Sequence, residues 1–195
     1  MGLITRTPEI DKIIDELIGI EGDGQGKIDP NDAGGATRWG VTEAVAREYG
    51  YLGAMKDLPR DTAELIYLEE YFVRPHFNNV LLRSRELAAE LFEIEVNLPP
   101  GQAATFLQRA LNALNDPDGD GQVNYPQLKP DGDLGPQSFI ALDAFLKLRK
   151  SAGERCLLAL LNSQQAVYYL GRTEARPKNK KYMFGWTMNR VKIAA

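Results

Sequence analysis

The sequence predicts a mainly α-helical chain with one small β-hairpin. Three observations carry this expectation. An amphipathic stretch with its own start signal opens the chain, and two further stretches of helical spacing follow Pro136 and Glu154. Between the first helix and the rest lies an acidic, glycine-rich segment. Gly34 and Gly35 permit a tight turn there, and Trp39 to Val41 is the short strand expected after it.

The first helix opens with Thr7 as N-cap and Pro8 at the first helical position, where the missing proline N–H costs nothing. Ile10, Ile13, Ile14, Leu17 and Ile18 then recur with the spacing of one buried face. Asp61 and Glu64 read as a capping box before Ile66 and Tyr67, Ser84 as the cap of a helix running toward Asn97, and residues 103–115 as a further helix. Pro136 starts a helix through Phe139, Leu142, Phe145 and Leu148, and a long apolar helix spans 154–170. The polar segment 115–133 is the expected boundary between two regions, 1–114 and 115–195.

Glu21 is the most informative residue. It follows Ile18 by three positions and Ile14 by seven, so a helix that persists this far projects its carboxyl from the apolar stripe. Desolvation favours the neutral acid, which is what a general acid at a glycosidic bond requires. The plain alternative is a glutamate that ends the helix in solvent. Asp29 and Asp32 lie downstream in Asp29-Pro30-Asn31-Asp32, and either is able to serve as the second carboxylate across a cleft. The same four residues are also an ordinary turn signature. Thr37 reads equally as a strand residue with a bonded hydroxyl. Trp39, Tyr67 and Tyr71 offer apolar ring faces that suit sugars, although Tyr67 reads first as core.

Glu21-Gly22, then Asp29-Pro30-Asn31-Asp32-Ala33-Gly34-Gly35-Ala36-Thr37-Arg38-Trp39-Gly40-Val41-Thr42, resembles the N-terminal signature of the glycoside hydrolase family 108 N-acetylmuramidases. The similarity continues through Ile66-Tyr67 to Tyr71 and Pro75, and through Val96-Asn97. It extends to Asp131-Gly132-Asp133-Leu134-Gly135-Pro136-Gln137-Ser138 and Phe184-Gly185-Trp186 in a peptidoglycan-binding region. The spacer after Glu21 is about two residues longer than the family pattern, Leu98-Pro99 replaces a small residue and glycine, and Glu93 replaces an aspartate. The resemblance implies a lysozyme-like helical fold with the hairpin near the active site, and 1–114 as the catalytic region. It implies Glu21 as catalytic acid, with Asp32, or else Asp29, and Thr37 holding the attacking water. Trp39, Tyr71 and Asn97 become substrate-binding candidates, and bacterial peptidoglycan the expected partner. A noncatalytic peptidoglycan-binding or structural protein of the same fold stays open.

Composition narrows the classes. The chain has 195 residues, 44% hydrophobic and 26% charged, enough for a full core, and no apolar run of membrane-spanning length. No secretory signal pattern precedes the first helix, so the expectation is cytoplasmic synthesis, with holin-type release, secretion or virion delivery taking the protein to the wall. One histidine, His76, and one cysteine, Cys156, are too few for a conventional catalytic zinc site, and an internal disulfide is impossible. Cys156 in an apolar run reads as a small buried hydrophobe. Nucleic-acid binding has no support at a net charge of −4, and a monomer is expected. Residues 171–195 carry seven basic side chains against Glu174, which suits either an anionic surface or a solvated helix.

No cofactor is expected for catalysis. Asp116, Asp118, Asp120, Gly121, Gln122 and Asn124 follow the opening of an EF-hand calcium loop, with Gln127 where the bidentate glutamate belongs and Asp131 or Asp133 as substitutes. The alternative is a polar turn rich in Asp and Gly. A calcium-responsive interaction protein is the third functional reading.

Overall fold

The computed structural model describes residues 6–21, 36–115, 119 and 121–191, without the side chains of Ile20 and Glu21. The described residues are mainly helical with one two-stranded antiparallel hairpin, the expected fold class. They divide into two compact units, the first ending at Val73 and the second beginning at Arg74.

In the first unit α1 (Pro8–Glu21) starts where its signals place it. The Thr7 hydroxyl accepts from the Ile10 N–H at 3.3 Å, and Ile10, Ile13, Ile14, Leu17 and Ile18 are all buried. The hairpin β1 (Thr37–Arg38) and β2 (Val41–Thr42) follows, then α2 (Glu43–Glu48), capped by the Thr42 hydroxyl. Helix α3 (Arg60–Ile66) runs into a π-helical segment, Tyr67–Val73. The expected capping box at Asp61 and Glu64 does not form. Pro59 is the N-cap and offers no side-chain bond, while Glu64 is buried and drawn away into ion pairs with Arg6 and Arg60.

The second unit is built on α5 (Arg85–Asn97), α6 (Gln102–Ala113) and α7 (Pro136–Ala175), which pack on one another, with the short α4 (Phe77–Leu81) before them and α8 (Lys180–Arg190) after. Ser84 caps α5 as expected, accepting from the Leu87 N–H at 3.0 Å, and also bonds the Glu154 carboxylate. Helix α7 breaks at Lys150, whose φ of 52° and ψ of −140° lie in territory few residues but glycine occupy. The two apolar stretches of the sequence are thus its two halves. His76 sits exposed at the left-handed residue before α4. Cys156 is half-buried rather than buried, on the wall of a cavity of about 460 Å³ with Phe145 and Arg149.

Two side chains organise the segment between α6 and α7. Buried Gln108 reaches Asp131 Oδ1, the Asp133 carbonyl and Ser138 Oγ through Nε2, and accepts from the Gly132 N–H. Buried Asn115 donates to the Tyr125 carbonyl at 2.6 Å and accepts from the N–H groups of Asn124 and Tyr125. Gly101 and Gly132 pass so closely, both at positive φ, that a Cβ on Gly132 would meet the Gly101 carbonyl oxygen at 2.9 Å. Only glycine fits that crossing.

Helix α5 buries Glu90, Glu93 and Glu95. Burial pushes the Glu95 carboxyl up from its ordinary value, against the opposing pull of hydrogen bonds from the Gly101 and Ala103 backbone. The folded state therefore holds this proton to higher pH than the unfolded chain, and the stability linked to it is present below the unfolded pKa and lost as pH rises through the folded one. Glu95→Gln keeps an acceptor for Gly101 and removes the charge. Its urea midpoint should exceed that of wild type at pH 8, and the advantage should shrink as the pH falls toward 4.

Candidate active site

Helix α1 carries the first candidate residue. It continues to Glu21, seven residues beyond Ile14, so the two Cα atoms lie about 20° apart around the helix axis. Ile14 is fully buried, and the backbone register of Glu21 thus extends the apolar stripe. The side chain of Glu21, with Asp29 and Asp32, lies outside the described residues.

The hairpin carries the second. Thr37 pairs with Thr42 and Arg38 with Val41, which leaves Trp39 and Gly40 as a two-residue turn. Their φ values of 53° and 77° are both positive, as a type I′ turn demands. The sequence places a strand at Trp39 to Val41, but Trp39 occupies the turn itself. A bulky residue rarely accepts positive φ, and here distant anchors hold it. The Trp39 indole N–H donates to the Leu58 carbonyl at 3.0 Å, and the Tyr67 hydroxyl donates to the Trp39 carbonyl at 3.0 Å. Arg38 donates to the Lys56 carbonyl, and the Arg38 and Arg60 guanidinium carbons lie 5.4 and 5.9 Å from the Trp39 ring centre, within cation–π range. Arg60 also bonds Asp15 of α1 and Glu64 of α3, so one guanidinium links the first helix, the third and the turn. Thr37 is half-buried on β1, its hydroxyl without a partner among the described residues.

The π-helical segment supplies aromatic rings. Such segments recur at functional sites because they re-aim side chains within a helix. Tyr67 is 2% exposed and is core, its hydroxyl spent on the hairpin. Tyr71 is half-buried, 5.8 Å from Tyr67 centre to centre at 47°. Trp39, Thr37, Tyr67 and Tyr71 thus all belong to the first unit. Asn97 belongs to the second, as the last residue of α5, where its Nδ2 donates to the carbonyl and to the carboxyl of Glu93, both at 3.0 Å.

Of the calcium candidates, Asp116, Asp118 and Asp120 lie outside the described residues. Gly121 at the sixth position has a φ of 82°, which fits the sharp turn of such a loop. Gln122 and Asn124 are exposed, and the Asn124 N–H is taken by Asn115. Asp131, one substitute for the twelfth position, has its Oδ1 engaged by Gln108 and the Asp133 N–H. Those bonds hold the Asp131 carboxyl below its ordinary value. Among the described residues no group of three or more His, Cys, Asp or Glu could hold a metal ion.

Residues 14–98 match the family model described as glycosyl hydrolase 108, and residues 102–191 match the one described as a predicted peptidoglycan domain. Among solved structures the chain is similar to "Structure of Brucella abortus SagA", with a TM-score of 0.66 and 18% sequence identity over 92% of this chain and 87% of that one. At that identity the likeness concerns the fold. No curated protein matches the sequence.

Because Tyr67 pins the turn from inside the core, Tyr67→Phe should lower stability by about 1 kcal/mol, the usual worth of one lost hydrogen bond. Urea unfolding measures it, and an unchanged midpoint would mean that the turn does not depend on this hydroxyl.

Proposed function

From a chain that carries a glycosyl hydrolase 108 domain followed by a predicted peptidoglycan domain, we propose a peptidoglycan muramidase with Glu21 as its general acid. The bond cleaved is the β-1,4 link from N-acetylmuramic acid to N-acetylglucosamine. The observation that supports the acid is the backbone register of α1, which runs helical from Pro8 to Glu21 with every apolar position of its stripe buried. A general acid at this position needs its carboxyl shielded from water, since desolvation favours the neutral form.

In this reading Glu21 gives its proton to the glycosidic oxygen as the bond to the sugar lengthens and positive charge develops on the ring. Asp32, or Asp29 in its place, stabilises that charge or orients a water, with the Thr37 hydroxyl as the second contact to the water. The hairpin gives Thr37 its fixed place, through Trp39 and Tyr67. We assign Trp39 to substrate contact at its edge and Tyr71 to stacking on a sugar ring. No helix among the described residues is long and apolar enough to cross a membrane, and the reading requires release, secretion or virion delivery to bring the protein to the wall.

Wild type and Glu21→Gln incubated with isolated peptidoglycan give the direct test. Reducing ends, reduced with borohydride and identified by mass spectrometry, should be muramic acid, and the variant should produce them about a hundredfold or more slowly. Equal rates would remove Glu21 from the chemistry, and absence of products with wall binding retained would favour a noncatalytic binding protein. We also propose that any calcium held by residues 116–124 is structural. Calcium should then raise the melting temperature, chelator should reverse this, and cleavage by the folded enzyme should be the same with either.

A further inference from the structure

A cleft of about 200 Å³ lies in the second unit, lined by Asn97, Tyr168, Tyr169, Arg172, Trp186 and Arg190. Beside it is the buried carboxyl of Glu93, which accepts from Gln165 Nε2 at 2.6 Å and from Asn97, with Arg190 Nε 3.9 Å away. Both neighbours of the Asn97 amide nitrogen are acceptors on Glu93, so the orientation of that amide is determined. Its Oδ1 is left as the acceptor available to a ligand. Trp186 stacks on Tyr169 at 5.0 Å and on Tyr182 at 5.8 Å, making a rigid aromatic wall. Tyr168 is half-buried, and its hydroxyl has no partner among the described residues.

Charge decides what such a cleft takes. Two guanidiniums line it against the one carboxyl of Glu93. Arg190 is committed to the Glu93 cluster, but Arg172 is exposed and its guanidinium has no partner among the described residues. A planar cation of this kind is matched by a carboxylate, which it binds through two parallel hydrogen bonds. The glycan strand of peptidoglycan offers none, because the carboxyl of each muramic acid that bears a stem is consumed in the amide to that stem. The stem peptide offers several, each close to backbone N–H groups that suit Asn97 Oδ1. The volume also lies below that of ordinary pockets for drug-sized ligands, which suits one or two amino-acid residues better than a disaccharide.

We propose that this cleft binds a free carboxylate of the peptidoglycan stem peptide, with Arg172 as its main ligand, Arg190 beside it and Asn97 taking a stem N–H. The assignment rests on peptidoglycan being the substrate and adds that the protein reads the peptide as well as the sugar. The full chain is titrated calorimetrically with the free stem tetrapeptide, alanyl-γ-glutamyl-diaminopimelyl-alanine, with the same peptide after its carboxyls are amidated, and with the disaccharide lacking peptide. The free peptide should bind, and amidation or Arg172→Ala should each weaken it about tenfold or more. Arg172→Lys should recover only part, since a point charge replaces a fork. Circular dichroism of Arg172→Ala should match wild type, because the side chain is exposed. No binding by wild type at millimolar peptide, equal binding of the amidated peptide, or an unaffected Arg172→Ala would each overturn the proposal. Cleavage of peptidoglycan without peptide binding would defeat this inference alone, whereas peptide binding without cleavage would defeat the muramidase reading and leave the cleft standing.

Discussion

Buried carboxyl groups set the terms on which this chain packs. A carboxylate loses several kcal/mol of hydration when taken from water and returns it only through donors brought to it, so each one dictates which distant residues must converge. In the first unit Glu64 draws in Arg6 from before α1 and Arg60 from its own helix, and Arg60 in turn holds Asp15 and faces the Trp39 ring. In the second, Glu93 takes Gln165 and Asn97, and Glu95 fixes the Gly101 N–H where α6 begins. Apolar stripes tell these helices to pack. The carboxyls tell them in which rotation.

That division of labour explains what the sequence disclosed. Thr7 with Pro8, Ser84, and Pro136 were readable as helix starts because a cap acts within one turn of itself. The two halves of α7 were readable because periodicity is local as well. The capping box at Asp61 and Glu64 failed for the opposite reason, since Arg6, which captures Glu64, lies 58 residues earlier. The turn at Trp39 failed likewise, because its positive φ depends on the Leu58 carbonyl and the Tyr67 hydroxyl, 19 and 28 residues on. Gln108 and Asn115 escaped notice too. A polar residue on the apolar stripe of Ala104, Leu107 and Leu111 is a signal that could have singled out Gln108.

The candidate site was legible to the same extent. Thr37 could be placed on a strand and Tyr67 in the core from residue type and local pattern. The motif from Asp131 to Ser138 stood out as a signature, and three of its polar groups, Asp131 Oδ1, the Asp133 carbonyl and Ser138 Oγ, accept from Gln108 Nε2 to close the turn. Arg172 and Arg190 were visible only as part of a basic stretch. Nothing local could separate them from its other five cations, because the cleft beside them is assembled from helix ends far apart in sequence.

The bond from Gln165 to Glu93 spans 72 residues, and it constrains how the second unit comes into being. Closing a loop of that length carries an entropic penalty before any contact rewards it, and folds dominated by such closures form slowly. A chain emerging from the ribosome makes α5 long before Gln165 exists, and Arg190 arrives later still. Until then buried Glu93 has no donor from α7 or α8, and that determinant of the final rotation of α5 is missing. The pairing of Glu93 is therefore completed from the far end of the second unit.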